Sequence, residues 1–291
     1  MDKLKSILDS IKQDQLSGSI VLLQKLIDGF KDLSSAWDDI KDLNTYQIIS
    51  ILSEFQSDMS DFIVMNHFLN EIIDRIKRSG DIVDLGRWCS HYEYEWKDIA
   101  DRMAGNFLET VELSKKNVLL HSNSGTIHSI FNQLKDKDLS INLIQTESRP
   151  NNEGVLQAEQ LAAMGYPIRL TIDASTHQVM DEVDLIILGA DSIYQDYFIN
   201  KIGSYPIVSA ARQFQVPVFV IADSRKFWTS VPATSVRKWN GPVNYNPEEV
   251  YSGSVKGIEV INHYFESIPN RYVTAFITEN QVFRPGELWE F

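Results

Sequence analysis

The sequence predicts an α/β protein: an N-terminal helical domain over residues 1–114, then a parallel-sheet domain over 115–291 that carries the ligand pocket. Two observations predict this. Before Ser114 the apolar residues recur at helical spacing, and no strand-like run interrupts them. From Lys115 onward, short continuous apolar runs alternate with amphipathic stretches, the pattern of parallel strands buried on both faces and joined by crossover helices.

In chain order, Leu22, Leu23, Leu26, Ile27 and Phe30 form one helical stripe, and Ile48, Ile49, Leu52 and Phe55 a second. Phe68, Leu69, Ile72, Ile73 and Ile76 form a third. Ile82, Leu85 and Trp88 continue into a fourth, and Ile99, Met103 and Phe107 mark another helix. Strands are expected over 117–121, 141–146, 168–172, 184–190, 217–222 and 273–278. Helices near 127–135, 155–164, 175–181 and 205–214 separate the first five of them, as in a doubly wound domain.

The formal net charge is −13, which disfavours a nucleic-acid backbone or an anionic membrane surface as the main partner. A small anionic ligand needs only a local cluster of donors. Cys89 is the one cysteine, so no internal disulfide forms. The start of the chain lacks the apolar run of a signal peptide, and no apolar stretch is long enough for a bilayer. A cytoplasmic protein is expected. The six histidines show no metal-ligand spacing, and neither a P-loop nor a dinucleotide glycine motif occurs, so neither a metal nor a cofactor is expected.

In open parallel sheets, ligands bind beyond the C-terminal strand ends. Those ends carry Ser122, Glu147, Asp173, Asp191 and Asp223-Ser224. Arg149, Asn200-Lys201 and Arg225-Lys226 follow closely. The turn Ser122-Asn123-Ser124-Gly125 leads straight into a helix, whose free N–H groups and dipole make an anion site. Carboxylates, a few cations and a helix start together suit a small phosphorylated, hydroxyl-bearing ligand. Asp191 is the strongest functional candidate, because no obvious helix starts there for it to cap, and Lys201 is next. Asp173, in contrast, reads as an N-cap. Asp223 and Ser224 read equally well as turn or cap residues, and Glu147 as a partner of Arg149. Cys89, beside Trp88, reads as a buried inert thiol.

At these residues the chain resembles the superfamily that joins the alpha, beta and delta subunits of translation initiation factor 2B to methylthioribose-1-phosphate isomerase and ribose-1,5-bisphosphate isomerase. The matching stretches are His121-Ser-Asn-Ser-Gly125, Thr146 to Gly154, Leu188-Gly-Ala-Asp191 and Asn200-Lys-Ile-Gly-Ser-Tyr205. Ile11 to Gly18 is similar to the family's N-terminal helix, and Phe276 to Glu279 to its C-terminal strand. The length favours the alpha-subunit and ribose-bisphosphate branches. The resemblance implies a helical domain, a Rossmann-like domain and a homodimer or higher assembly. It also implies that Asp191 and the residue at Ser122 form the catalytic pair, with Arg149, Glu153, Gly154, Asn200 and Lys201 around substrate phosphate or hydroxyls.

Three departures from the isomerase pattern follow from the same comparison. Ser122 replaces a cysteine, Glu153 replaces a glutamine, and the segment from Asp191 to Asn200 is one residue shorter. A thiol titrates near ~8.5, whereas a serine needs an adjacent base. The expected function is therefore binding of a phosphorylated sugar or nucleotide by an alpha-subunit-like protein. An aldose–ketose isomerase that relies on Asp191 is one alternative. An assembly subunit with a vestigial pocket, closed by side chains or filled by a Glu153–Arg149 pair, is another.

Overall fold

The computed structural model describes residues 2–14, 17–35, 44–59, 62–79, 84–137, 139–230, 239 and 241–287. Ile82 of the fourth stripe, and Gln15 and Leu16 of the segment Ile11 to Gly18, lie outside the described residues.

Helices α1 (Asp2–Gln13), α2 (Ser19–Ser35), α3 (Thr45–Asp58), α4 (Ile63–Ser79) and α5 (Leu85–Trp96) share one apolar core. The stripes read from the sequence supply it: Leu26 and Phe30 of α2, Leu52 and Phe55 of α3, Phe68 and Ile72 of α4 are all buried. Asn44 caps α3 by accepting from the Tyr46 N–H, and Lys77 and Arg78 sit in the last turn of α4, where the helix dipole favours cations. Cys89 lies within this core, and burial pushes its thiol up to about 12, as befits an inert group. Helix α6 (Ile99–Thr110) differs: Met103, Ala104 and Phe107 pack against the sheet instead.

The strands are β1 (Asn117–Leu120), β2 (Asn142–Thr146), β3 (Ile168–Thr171), β4 (Leu185–Leu188), β7 (Val218–Ile221), β9 (Ala275–Ile277) and β10 (Val282–Phe283). They form a seven-stranded sheet in the order β10-β9-β7-β4-β1-β2-β3. All neighbours are parallel except β10 with β9. The central strands β4 and β7 are buried along their whole length, which is why they read as continuous apolar runs. Helices α7 (Gly125–Leu134) and α8 (Glu153–Ala163) join α6 on one face. Helix α10 (Ser204–Phe214) covers the other, with Ile207, Val208 and Ala211 in the core there. The order reverses between β1 and β4, so their C-terminal ends open a crevice at the switch point.

Two stretches depart from the expectation. Residues 175–181 form only the short helix α9 (Thr176–Val179), flanked by 3-10 turns. The segment after Asp191, read as a loop, is a hairpin: β5 (Ser192–Ile193) pairs antiparallel with β6 (Tyr197–Lys201). Strand β8 (Phe265–Pro269) pairs with the other side of β6, making a second sheet of three strands. Among the described residues no helix is long and apolar enough to cross a membrane. Nor do these residues include a group of three or more His, Cys, Asp or Glu placed to hold a metal.

Candidate functional site

At the switch point the chain builds a narrow cleft. Ser122 to Gly125 form one wall, Gly189 to Asp191 another, and Glu153, Asn200 and Lys201 a third. Residues 17–20 and Phe62 from the helical half close the top. The enclosed space is about 50 Å³, room for only one or two waters. A larger hollow of about 550 Å³ between α4 and α5 lies away from the strand ends.

His121 follows the last residue of strand β1 and is fully buried. Its Nε2 lies 2.9 Å from the Ile202 carbonyl and its Nδ1 2.6 Å from Thr146 Oγ1. Burial, the largest influence, lowers its pKa, so the ring is neutral: Nε2–H donates to the carbonyl and Nδ1 accepts from Thr146. Gly203, at φ +101°, passes so close that an added Cβ would stand 2.9 Å from the ring.

Ser122 then takes a left-handed backbone at φ +71°, costing on the order of 1 kcal/mol for a non-glycine residue. Neighbours hold it there: its N–H donates to Ser148 Oγ at 2.8 Å, and its carbonyl accepts from Gln145 Nε2 at 3.1 Å. Gln145 also accepts from Gln157, whose own oxygen accepts the Ser124 N–H at 2.7 Å. Ser124 caps α7 by accepting from the Ile127 N–H. The turn is thus fixed by two glutamines that the sequence reading did not single out. Gly18 lies against the Asn123 carbonyl, so the helical half covers the start of α7.

Glu153, the first residue of α8, joins two elements. One carboxylate oxygen accepts from the Ser122 hydroxyl, and the other meets Lys201 Nζ at 2.7 Å. The Lys201 side chain is almost wholly buried, and its ammonium stands 4.6 Å from the centre of the Tyr264 ring. Tyr264 is itself stacked on Tyr245 at 3.8 Å and donates to Glu249.

On the opposite wall, Asp191 is half-buried. Burial raises its pKa above the ordinary carboxyl value; Glu153 adds to the rise, whereas Lys226, the Ser19 hydroxyl and Lys201 oppose it. Lys226 is buried, donates to the Ala190 carbonyl at 2.7 Å, and has its pKa lowered by burial. Behind it, Asp223 accepts from Arg225 Nε at 2.9 Å, and the Arg225 guanidinium lies 4.4 Å from the Trp96 ring centre. Burial works against ionisation of Asp223, but Arg225 and Lys226 more than offset it, so its pKa falls below the ordinary value.

Of the residues singled out in the sequence, Ser122, Asn123, Ser124, Gly125, Glu153, Asp191, Asn200 and Lys201 line this one cleft. Asn200 also donates to Ser204 Oγ at 2.9 Å, bracing the start of α10. Arg149 and Gly154 are not among the lining residues. Arg149 is exposed and its guanidinium donates to the Glu249 carbonyl at 3.0 Å. Gly154 is buried where an added Cβ would stand 2.0 Å from the Thr146 carbonyl, so glycine is needed there to bring α8 onto β2. The Glu153–Arg149 pair does not form, because Lys201 holds Glu153. Asp173 does not cap its own turn; its carboxylate accepts the N–H groups of Ser148 and Arg149 at 2.8 and 2.7 Å. Asp223, in contrast, does cap the turn that follows it, accepting from the Arg225 N–H. Ser19, Phe62, Lys226 and Tyr264 line the cleft without having been singled out as site residues; Lys226 alone had a signal, its place just after a strand end.

Architecture and cleft place the chain among doubly wound α/β proteins with an accessory helical domain. It belongs to the initiation factor 2 subunit family, which it matches over residues 89–285. The ribose 1,5-bisphosphate isomerase of Methanocaldococcus jannaschii is 32% identical over 175 residues, covering 59% of this chain and 56% of that protein. This chain thus spans little over half the length of that relative. The crystal structure of translation initiation factor eIF-2B from Pyrococcus horikoshii OT3 superposes with a TM-score of 0.79 at 20% identity, covering 98% of each chain. That of 5-methylthioribose 1-phosphate isomerase from the same organism gives 0.73 at 22% identity, covering 98% of this chain and 85% of that one. These two likenesses bear on the fold.

Proposed function

We propose that the cleft binds a phosphorylated sugar or nucleotide and that the chain acts as an initiation factor 2B alpha-subunit-like protein without isomerising its ligand. The observation that carries this is the bond from the Ser122 hydroxyl to Glu153. The residue in the place of a thiol acid/base is a serine, and its proton is already engaged by a carboxylate that also holds Lys201. The start of α7, with Asn123 and Gly125 facing the cleft, offers N–H groups to a phosphate. Asp191 and Asn200 offer acceptors and donors to sugar hydroxyls. The cleft is narrow as it stands, so a bound sugar phosphate would widen it.

Thermal unfolding with ribose 5-phosphate, methylthioribose 1-phosphate, ribose 1,5-bisphosphate and adenosine monophosphate tests this reading. A ligand at a hundred times its Kd adds about 2.7 kcal/mol, a rise of roughly 5–10 °C for a chain of this size. No rise with any of the four rejects it.

A second reading, an aldose–ketose isomerase, is favoured by the place of Asp191 in the cleft and by the burial that raises its pKa, the direction a proton-transferring carboxyl needs. Ketose formation from ribose 1,5-bisphosphate, abolished by Asp191→Asn, would establish it. Absence of turnover in both the natural chain and Ser122→Cys would exclude it. Membership of a family of subunits supports assembly as a homodimer or larger, which light scattering measures.

A further inference from the structure

Two carboxylates face two ammonium groups across the cleft. Glu153 and Lys201 are in direct contact at 2.7 Å, with side chains 11% and 2% exposed. Lys226 gives one bond to the Ala190 carbonyl and feels Asp191 as its largest stabilising charge. The third cation of this region, Arg149, points away to the Glu249 carbonyl. Of the two lysines lining the cleft, Lys201 is thus paired directly with a carboxylate and Lys226 is bonded to a carbonyl.

A phosphate carries about two negative charges and seeks cations or free N–H groups. The start of α7 has N–H groups to give. Lys201 does not have a free charge to give, because Glu153 neutralises it within a nearly water-free setting. A phosphate brought to Lys201 would meet the Glu153 carboxylate at close range, and like charges in a poorly hydrated site repel strongly. A hydroxyl brought to the same place would instead find an acceptor.

We infer that Glu153 sets the phosphate number of the ligand: the cleft takes a singly phosphorylated sugar or nucleotide and rejects a second phosphate at the Lys201 end. This inference rests on the binding reading above. Glu153 thereby acts as a specificity-determining residue, presenting its carboxylate to hydroxyls where a neutral side chain would leave Lys201 free for an anion. Glu153→Gln preserves the shape of the contact, since the amide oxygen accepts from Lys201 and the amide nitrogen donates to Ser122. It removes only the negative charge.

Calorimetric titration of the natural chain and of Glu153→Gln with ribose 5-phosphate and ribose 1,5-bisphosphate tests it. Adenosine 5′-monophosphate and adenosine 3′,5′-bisphosphate form the nucleotide arm. The natural chain binds the monophosphate and binds the bisphosphate no more tightly. Glu153→Gln shifts the affinity ratio towards the bisphosphate by about 10-fold or more, the scale of one charge-assisted hydrogen bond. A natural chain that prefers the bisphosphate by about 10-fold or more overturns the inference while leaving the binding reading intact, and that result does not depend on how well the variant folds. A folded Glu153→Gln with an unchanged ratio also overturns it. Absence of binding by all four ligands to both proteins rejects the binding reading itself.

Discussion

Two walls of the cleft, that of Glu153 and Lys201 and that of Asp191, use the same residue types for opposite ends. Glu153 and Lys201 form a direct ion pair that also engages the Ser122 hydroxyl, so each group has its partner inside the fold. Asp191 and Lys226 are neighbours in the same cleft, yet burial raises the pKa of one and lowers that of the other. Lys226 bonds to a carbonyl, and the Ser19 hydroxyl bonds to Asp191. One pair is satisfied without a ligand; the other is left wanting one. The contrast shows why residue identity alone does not define a site: the partners each group already has decide whether it can serve a ligand.

The largest expected effect comes from the support behind the Asp191 wall. Arg225→Ala leaves buried Asp223 without its directly bonded counter-charge and removes the contact with the Trp96 ring, at a cost of about 3–5 kcal/mol in urea unfolding. A loss below ~1 kcal/mol would mean that this wall does not depend on the ion pair. Next, Glu153→Ala strands the buried Lys201 ammonium and is expected to cost about 3 kcal/mol. Asp191→Asn, measured the same way at neutral pH, should cost clearly less, because the carboxylate it replaces is disfavoured by burial. Equal costs would break the contrast between the walls. Gly154→Ala comes third: its Cβ would meet the Thr146 carbonyl at 2.0 Å, and overpacking of this kind costs about 1–3 kcal/mol.

The smallest effect is in pH dependence. As pH rises past the ordinary aspartate value of 3.8, the unfolded chain loses the Asp191 proton before the fold does. Stability from this group is fully present below that value, falls as pH rises towards the raised folded pKa, and is flat above it. Asp223 runs the other way: its lowered pKa gives stability that is present above the ordinary value and lost as pH falls towards the folded one. Asp191→Asn should therefore cost less at neutral pH than at pH 4, as read from melting temperatures across the range. A difference of the opposite sign would show that the fold favours the ionised form of Asp191.

Much of the sheet was legible because its strands are buried on both faces. Continuous apolar runs such as Leu185 to Leu188 leave no other role, and the crossover helices between them dictate a parallel order. The strand ends then pointed to Ser122, Asp191 and Lys201 before any contact was known. The second sheet was not legible, because β5 has two residues and β6 is half polar, so neither stands out from a loop. The partner of Glu153 was not legible either. A loop neighbour four positions away was the natural candidate, whereas the fold brings up a lysine 48 residues on. The contributions of Ser19 and Phe62 come from the helical half, and no local pattern signals which helix start will cap a distant cleft.

A crystal structure of the chain soaked with ribose 5-phosphate tests the central claim most directly. The account predicts a phosphate at the start of α7, within hydrogen-bond reach of the N–H groups of Asn123 and Gly125, sugar hydroxyls towards Asp191, and an intact Glu153–Lys201 pair. A cleft that stays closed at saturating ligand, or a phosphate seated on Lys201 with Glu153 displaced, would contradict it.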